Sequence, residues 1–209
     1  MKRLVTLVFL FSFLISFGQD TVRIVHQNYT TVYSKSLHYP VIVTWWETNA
    51  RNNCAHIARL NQFQKDPLLP LDTDMGNDYV KSGTDRGHMC PAASNECQGS
   101  QILKECFYFS NMAPQYHNLN AGDWEKIEKS TRQLAIQHDS IQVCAGSIGV
   151  AKKFNRLSIP AQCWKVIHIK KTGEWFGFLF NNTNDNTKNR TQEQTVEQIE
   201  KLTGFKFKK

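Results

Sequence analysis

One strong helical pattern stands in a chain that otherwise consists of short, strand-like runs. From Asn120 onward, apolar and small residues recur at the spacing of a 3.6-residue helix. The residues of this stripe are Trp124, Ile127, Thr131, Leu134, Ala135 and His138. Asn118 or Asn120 is placed to cap the helix, with Asp123 near its positive end. A long helix therefore has to pack on whatever the rest of the chain forms.

The remaining ordered segments are rich in β-branched and aromatic residues. Four runs are typical of strands, at residues 41–46, 140–145, 161–169 and 175–180. Residues 195–202 predict a closing helix that Gly204 ends. Residues 68–83 mix Pro, Asp, Gly and Asn and predict a long irregular loop. We therefore predict an α+β domain with an antiparallel sheet core and flanking helices.

The N-terminus has the pattern of a secretory signal peptide. Lys2 and Arg3 precede a mostly apolar run from Leu4 to Phe17, and small residues flank Phe17. We predict a signal peptide over residues 1–18 and one domain over residues 19–209, exported to the periplasm or the cell exterior. An uncleaved membrane anchor is the alternative, but the apolar run is shorter than the roughly 20 residues that span a bilayer.

The chain is basic, with a formal net charge of +7 that falls to +5 when Lys2 and Arg3 are removed. A basic surface suits a polyanionic partner such as nucleic acid. Many secreted domains are mildly basic without binding nucleic acid, so charge alone leaves the partner open.

Six cysteines in an exported protein favour disulfides over free thiols. They could pair in about 15 ways, and the sequence does not select among them. Metal ligation is the rival interpretation, but no Cys-x-x-Cys pair occurs. Cys90, Cys97 and Cys106 cluster between two motif regions, so we expect at least one bridge to brace that loop.

The motif regions supply the groups that phosphodiester hydrolysis requires. Residues 84–91 read Thr-Asp-Arg-Gly-His-Met-Cys-Pro, and residues 110–115 and 118–128 follow. His88 is the candidate base, because imidazole titrates near neutral pH and can accept a proton from water. Arg86 places a permanent cation two residues away. A lone histidine is more often structural, and this neighbourhood favours the functional interpretation.

The helix presents a candidate metal site along one margin of its buried face. Asn120 lies on the axis of the apolar stripe, with Glu128 about 80° and Arg132 about 120° round the helix. Amide and carboxylate oxygens suit Mg²⁺, with Mn²⁺ as the alternative metal, better than zinc. The simpler interpretation is that Asn120 only caps the helix and Glu128 only pairs with Arg132.

These motifs resemble the DNA/RNA non-specific endonuclease family, which are ββα-metal (His-Me finger) nucleases. The resemblance is specific from about Arg59 to Arg132 and looser downstream. It implies a ββα-metal site in which His88 is the general base, Asn120 the direct Mg²⁺ ligand and Glu128 an outer carboxylate that acts through water.

The resemblance also implies phosphate-binding and supporting residues. Arg86 and Arg132 would bind the scissile phosphate, and Arg59 occupies the place of a further phosphate-facing arginine. Asp85 would orient the motif, and Asn111 would support the site through hydrogen bonds. The implied substrates are DNA and RNA, and the implied products carry 5′-phosphates.

Two departures from the usual family pattern concern loop geometry. Cys90 stands inside the first motif, and residues 94–97 replace the acidic or aromatic run that often follows it.

Two other functions are alternatives to an endonuclease. One is a basic, disulfide-braced module that binds nucleic acid without cleaving it, and the other is a phosphodiesterase for small phosphoesters. Trp45, Trp46 and Trp124 could stack on bases, but Trp124 lies in the apolar stripe and is predicted to belong to the core.

Overall fold

The structure is a computed structural model that describes residues 20–55, 57–185 and 192–208. The predicted signal peptide at residues 1–18 lies outside these residues. Within the described part of the chain, no helix combines the length and the apolar character that crossing a bilayer requires.

A seven-stranded antiparallel sheet organises the domain. Its strands, in spatial order, are β1 (Thr21–Val25), β2 (Tyr29–Ser34), β3 (Tyr39–Thr48), β6 (Ser140–Ile148), β9 (Gln162–Ile169), β10 (Glu174–Asn181) and β11 (Gln192–Gln194). Two small ribbons lie apart from it, namely β4 (Asp85–His88) with β5 (Met112–Gln115), and β7 (Lys152–Phe154) with β8 (Leu157–Ile159). The predicted α+β class and antiparallel sheet core are confirmed.

Four α-helices accompany the strands in the described residues. They are α1 (Asn49–Asn52), α2 (Ser100–Glu105), α3 (Glu125–His138) and α4 (Val196–Thr203). The predicted closing helix is α4, which Thr195 caps through a reciprocal capping box with Gln198. It ends at Gly204, whose φ of 76° is the left-handed conformation that glycine adopts at low cost.

The predicted start of the long helix is wrong in its detail. A π-helical turn over Leu119–Trp124 precedes α3, and Gly122 leaves the helical region with φ −108° and ψ −111°. Neither predicted capping residue caps the helix, because both side chains bond elsewhere. Asn118 donates to the carbonyl of Asn184, and Asn120 donates to the carboxylate of Asp85.

The sheet has two buried faces. On the inner face, α3 packs against β3 and β6, and Trp124 is 1% exposed in the core, as predicted. On the outer face, α4 and the C-terminal tail cover part of the sheet. Trp45 points into the inner core at 3% exposure, whereas the next residue, Trp46, is 44% exposed on the outer face.

One disulfide joins Cys54, which follows α1, to Cys97, which lies in the loop between the two motif regions. The expectation that the other cysteines also pair is wrong, since four are free and buried: Cys90, Cys106, Cys144 and Cys163. Cys144 and Cys163 belong to the cores on opposite faces of the sheet and do not meet. These four thiols are not linked by disulfides, and they are kept from solvent because they are buried.

We expect the Cys54–Cys97 bridge to contribute substantially to stability. It closes a loop with a sequence separation of 43 residues. Cys97→Ser should lower the free energy of unfolding by about 2–4 kcal/mol, because the unfolded chain regains the entropy that the bridge removes. Urea denaturation at neutral pH measures the difference.

A reducing agent provides the matched control. Dithiothreitol should destabilise the unmodified protein by about the same amount and leave the Cys97→Ser variant unchanged. Equal stability of the oxidised protein and the variant would show that the bridge contributes nothing.

Candidate active site

A β-ribbon and a helix frame the site. Strands β4 and β5 pair so that Gly87 faces Ala113, and α3 follows after the π-helical turn. A Cβ at Gly87 would lie 2.0 Å from the Gln115 side-chain oxygen, so only glycine lets these strands approach with Gln115 in place. The indole nitrogen of Trp124 donates to the His88 carbonyl at 3.1 Å. This bond joins the end of β4 to the start of α3.

The structure brings together all the residues that the sequence predicted to carry chemistry. They line one cavity of about 250 Å³ beside the π-helical turn. The predicted residues in its lining are Arg59, Arg86, His88, Asn120, Glu128 and Arg132. Because these come from a loop, a strand and a helix separated along the chain, the fold alone makes them neighbours.

The two predicted supporting residues lie behind this cavity. Asp85 accepts a hydrogen bond from the Asn120 amide nitrogen at 2.9 Å, and His117 contacts the same carboxylate at 2.8 Å. Asn111 is fully buried and spans two backbone segments, accepting from the Cys90 amide and donating to the Cys90 and Cys106 carbonyls, each at 2.9 Å. The segment after His88 is thereby fixed in position.

His88 occupies an aromatic niche. Its ring lies 5.0 Å from the Phe107 ring and 5.7 Å from the Phe63 ring, and its Nε2 atom has no hydrogen-bond partner among the described residues. Burial, together with a smaller contribution from the nearby Arg59 charge, lowers the pKa of His88 from 6.5 to about 3. The imidazole is therefore neutral at physiological pH and its lone pair can accept a proton.

This burial predicts a specific pH dependence of stability. The His88 pKa of about 3 in the folded protein lies below the ordinary value of 6.5, so the unfolded chain binds the additional proton between these values. Stability is unaffected by this group above pH 6.5 and is lost as pH falls below it. Relative to His88→Phe, the unmodified protein should lose about 1.4 kcal/mol of unfolding free energy per pH unit between pH 6 and pH 4.

Urea denaturation of the metal-free protein across this range tests the prediction. Phenylalanine suits the niche formed by Phe63 and Phe107 and does not titrate, so other ionisable groups contribute equally to both proteins. Parallel stability curves for the two proteins would contradict the burial of a neutral imidazole.

Two arginines bring incompletely satisfied guanidinium groups to the cavity. Arg86 lies over the rings of Phe63 and Tyr79, at 5.1 and 5.3 Å from their centroids. Within the described residues, the Arg86 Nε and Arg132 Nη1 atoms are buried without a hydrogen-bond partner. Buried donors without partners are costly, and an anion with several oxygens would satisfy them. The third arginine, Arg59, is exposed at the rim.

A buried lysine beneath the site was missed in the sequence. Lys165 is fully buried in β9, with its ammonium 4.2 Å from the Trp124 ring centroid and 3.9 Å from a Glu128 carboxylate oxygen. Burial raises the pKa of Glu128, which Lys165 and Arg132 oppose, and burial lowers the pKa of Lys165. The simpler interpretation of Glu128 as a partner of Arg132 alone is therefore incomplete. The sequence signal that could have identified Lys165 is the presence of a lysine inside the apolar run of residues 163–169.

The donor set fits a hard divalent cation. The Asn120 amide nitrogen is engaged by Asp85, so the amide oxygen is the atom that this side chain offers to the cavity. Glu128 adds a carboxylate whose side chain keeps 14% exposure. Among the described residues, no group of three or more His, Cys, Asp or Glu side chains could hold a metal. One amide oxygen and one nearby carboxylate suit a hard divalent cation that retains most of its water ligands.

Comparison with known proteins decides the family. The family model for DNA/RNA non-specific endonucleases matches residues 10–209. The chain belongs to this family. The nuclease of Serratia marcescens is 28% identical over 206 residues, which cover 90% of the chain and 75% of that protein. The mitochondrial nuclease EXOG of Danio rerio is 40% identical over 88 residues, which cover 42% of the chain and 25% of EXOG.

The fold agrees with that of a distant solved structure. A crystal structure of the EndoG/EndoGI complex superposes with a TM-score of 0.74 at 23% identity. The match covers 88% of this chain and 84% of the other. By contrast, the matches to EXOG from zebrafish, mouse, human and frog span only about a quarter to a third of those relatives' length.

Proposed function

We propose that this protein is a divalent-metal-dependent endonuclease that hydrolyses DNA and RNA with little base preference. The observation that carries the proposal is the single cavity in which a neutral imidazole, three arginines, an amide and a carboxylate converge. Membership of the DNA/RNA non-specific endonuclease family supports the substrate class. Contacts directed at phosphate and sugar rather than at base edges would explain sequence tolerance.

In the proposed mechanism, His88 accepts a proton from the attacking water. Its neutral state and its place in the cavity lining suit it to this role. Arg86 and Arg132 bind the non-bridging phosphate oxygens through donors that have no partner in the described protein. Arg59, at the exposed rim, attracts the part of the nucleic-acid backbone next to the scissile phosphate. The water oxygen bonds to phosphorus as the bond to the 3′ oxygen breaks. The departing 3′ oxygen takes a proton from solvent, and the products carry 5′-phosphates.

We propose Mg²⁺ as the metal, with Mn²⁺ as an alternative. Asn120 would ligate it directly, and Glu128 would accept hydrogen bonds from its water ligands. When bound, the cation would neutralise charge that develops on the phosphate and the departing oxygen. Asp85 orients the Asn120 amide, and Lys165 holds the Glu128 carboxylate from behind.

Removal of metal is the first test of this function. Nicking of supercoiled plasmid should fall at least about a hundred-fold in EDTA and recover when Mg²⁺ is added in excess. The same reactions resolved on a native gel would separate a nuclease from a binding module. Retarded but intact DNA in the presence of Mg²⁺ would contradict cleavage.

We also propose that the protein is exported and that residues 1–18 are removed as its signal peptide. The basic start and apolar run of the N-terminus support this step. Mass spectrometry of the protein recovered from the periplasm or medium should show a mature chain that begins near Gln19. Recovery of the intact N-terminus in the membrane fraction would instead support an uncleaved anchor.

A further inference from the structure

A groove crosses the outer face of the sheet, on the side away from α3 and the candidate active site. Two adjoining cavities of about 550 and 270 Å³ share Thr44 and Gln142 in their linings, so they form one continuous depression. We call it the outer-sheet groove. It runs from the β1–β2 turn, at residues 26–28, to the C-terminal tail at residues 205–207.

Flat side chains form a row along this groove. The strand register pairs Trp46 with Gln142, Gln142 with His168, and His168 with Trp175. The row therefore crosses four neighbouring strands and spans about 14 Å. The His168 and Trp175 rings stack in parallel, 3.9 Å apart with 7° between their planes. Trp46 lies at the other end and is 44% exposed.

The charges and polar groups of the groove suit a polyanion with aromatic bases. Although the chain contains 18 acidic residues, the described residues that line the groove include none. Lys206 is the exposed cation in its lining and pairs with Glu200 at 3.5 Å, whereas the buried Arg51 guanidinium already donates to protein oxygens. Burial and the positive charge of Lys170 lower the pKa of His168. Amide side chains that can bond to base edges line the end near Trp46, namely Gln27, Asn28, Gln98 and Gln142.

We propose that the outer-sheet groove is a second, non-catalytic binding site for single-stranded nucleic acid. Bases would stack on Trp46 and on the Trp175–His168 pair, while Lys206 binds a phosphate and the amides bind base edges. A base presents the flat face that an exposed indole favours, and a backbone of phosphates suits a groove free of acidic groups. The site would hold one part of a strand while another part occupies the catalytic cavity. This inference requires no particular cleavage mechanism.

Binding without metal isolates the groove from catalysis. In EDTA, fluorescence anisotropy would measure the affinity of labelled oligo(dT) for a protein whose cavity cations are removed by Arg86→Ala and Arg132→Ala. We expect binding to persist there and to weaken on the order of ten-fold when Trp46→Ala or Trp175→Ala is added. Trp46→Phe should retain most of the affinity. Leu71→Ala, which removes another exposed apolar side chain away from the groove, should change nothing.

Cleavage kinetics give an independent readout. Trp46→Ala should raise KM for a long single strand without changing kcat, and leave kcat/KM for a dinucleotide unchanged. Unaltered oligo(dT) affinity in both tryptophan variants would overturn the proposal. So would a concentration-dependent dimer in sedimentation that Trp46→Ala abolishes, since the groove would then bind a second copy. Because the binding assay contains no metal, failure of the proposed nuclease activity would be seen separately.

Discussion

His88→Ala should reduce metal-dependent plasmid nicking by about three orders of magnitude while nearly sparing substrate affinity. A positioned general base typically contributes about 10²–10⁴-fold to rate. The imidazole is neutral and lines the cavity, so the proposed role that its removal abolishes is proton acceptance. The arginines remain, so binding of DNA in EDTA should persist. Single-turnover nicking and equilibrium binding measure the two effects.

The matched control is His138→Ala, which removes a histidine from the far end of α3. It should retain full activity. Thermal unfolding of His88→Ala shows whether the protein remains folded despite the space left between Phe63 and Phe107. A folded His88→Ala variant with normal activity would remove this residue from the mechanism.

Asn120→Ala should lower turnover at least about a hundred-fold and weaken the response to Mg²⁺, because the cavity loses the amide oxygen that we propose as a metal ligand. Asn120→Asp should retain part of the activity. It keeps an oxygen ligand but replaces the N–H that is donated to Asp85 at 2.9 Å with a second carboxylate. Nicking rates across a Mg²⁺ titration would resolve the three proteins.

Asn118→Ala serves as the control for position and residue type. This side chain bonds to Asn184 and does not line the cavity, so activity and Mg²⁺ dependence should remain. If Asn120→Ala and Asn118→Ala lost stability and activity to the same extent, a structural role for Asn120 would be the better account.

The sequence predicted the parts of this fold that depend on local pattern. The stripe of α3, the position and ending of α4 and the four core strands are local properties that residue spacing displays. The π-helical turn was not predictable in this way. It depends on Asp85 and Asn184, which lie far from Asn120 and Asn118 in the chain and draw their side chains away from the helix end.

The residues of the candidate site could be predicted from the sequence, but the burial and the neighbours of their side chains could not. Motif spacing identified the groups that line the cavity, whereas the depth of His88 depends on Phe63 and Phe107, which no motif includes. Lys165 was missed for a related reason. A lysine in a strand is usually exposed, and only its position over Trp124 shows that its charge lies inside the protein.

The unpartnered atoms around the cavity have a consequence for turnover. In the proposed mechanism, the Arg86 and Arg132 side chains line the cavity that a reacting phosphate would enter, and Arg86 is packed over the Phe63 and Tyr79 rings before any substrate binds. Water around a free phosphodiester must reorient as its charge shifts, whereas dipoles fixed by folding are oriented in advance. For the proposed reaction, the protein groups that stabilise the phosphate are therefore oriented once, when the chain folds, and do not have to be reoriented in each catalytic cycle.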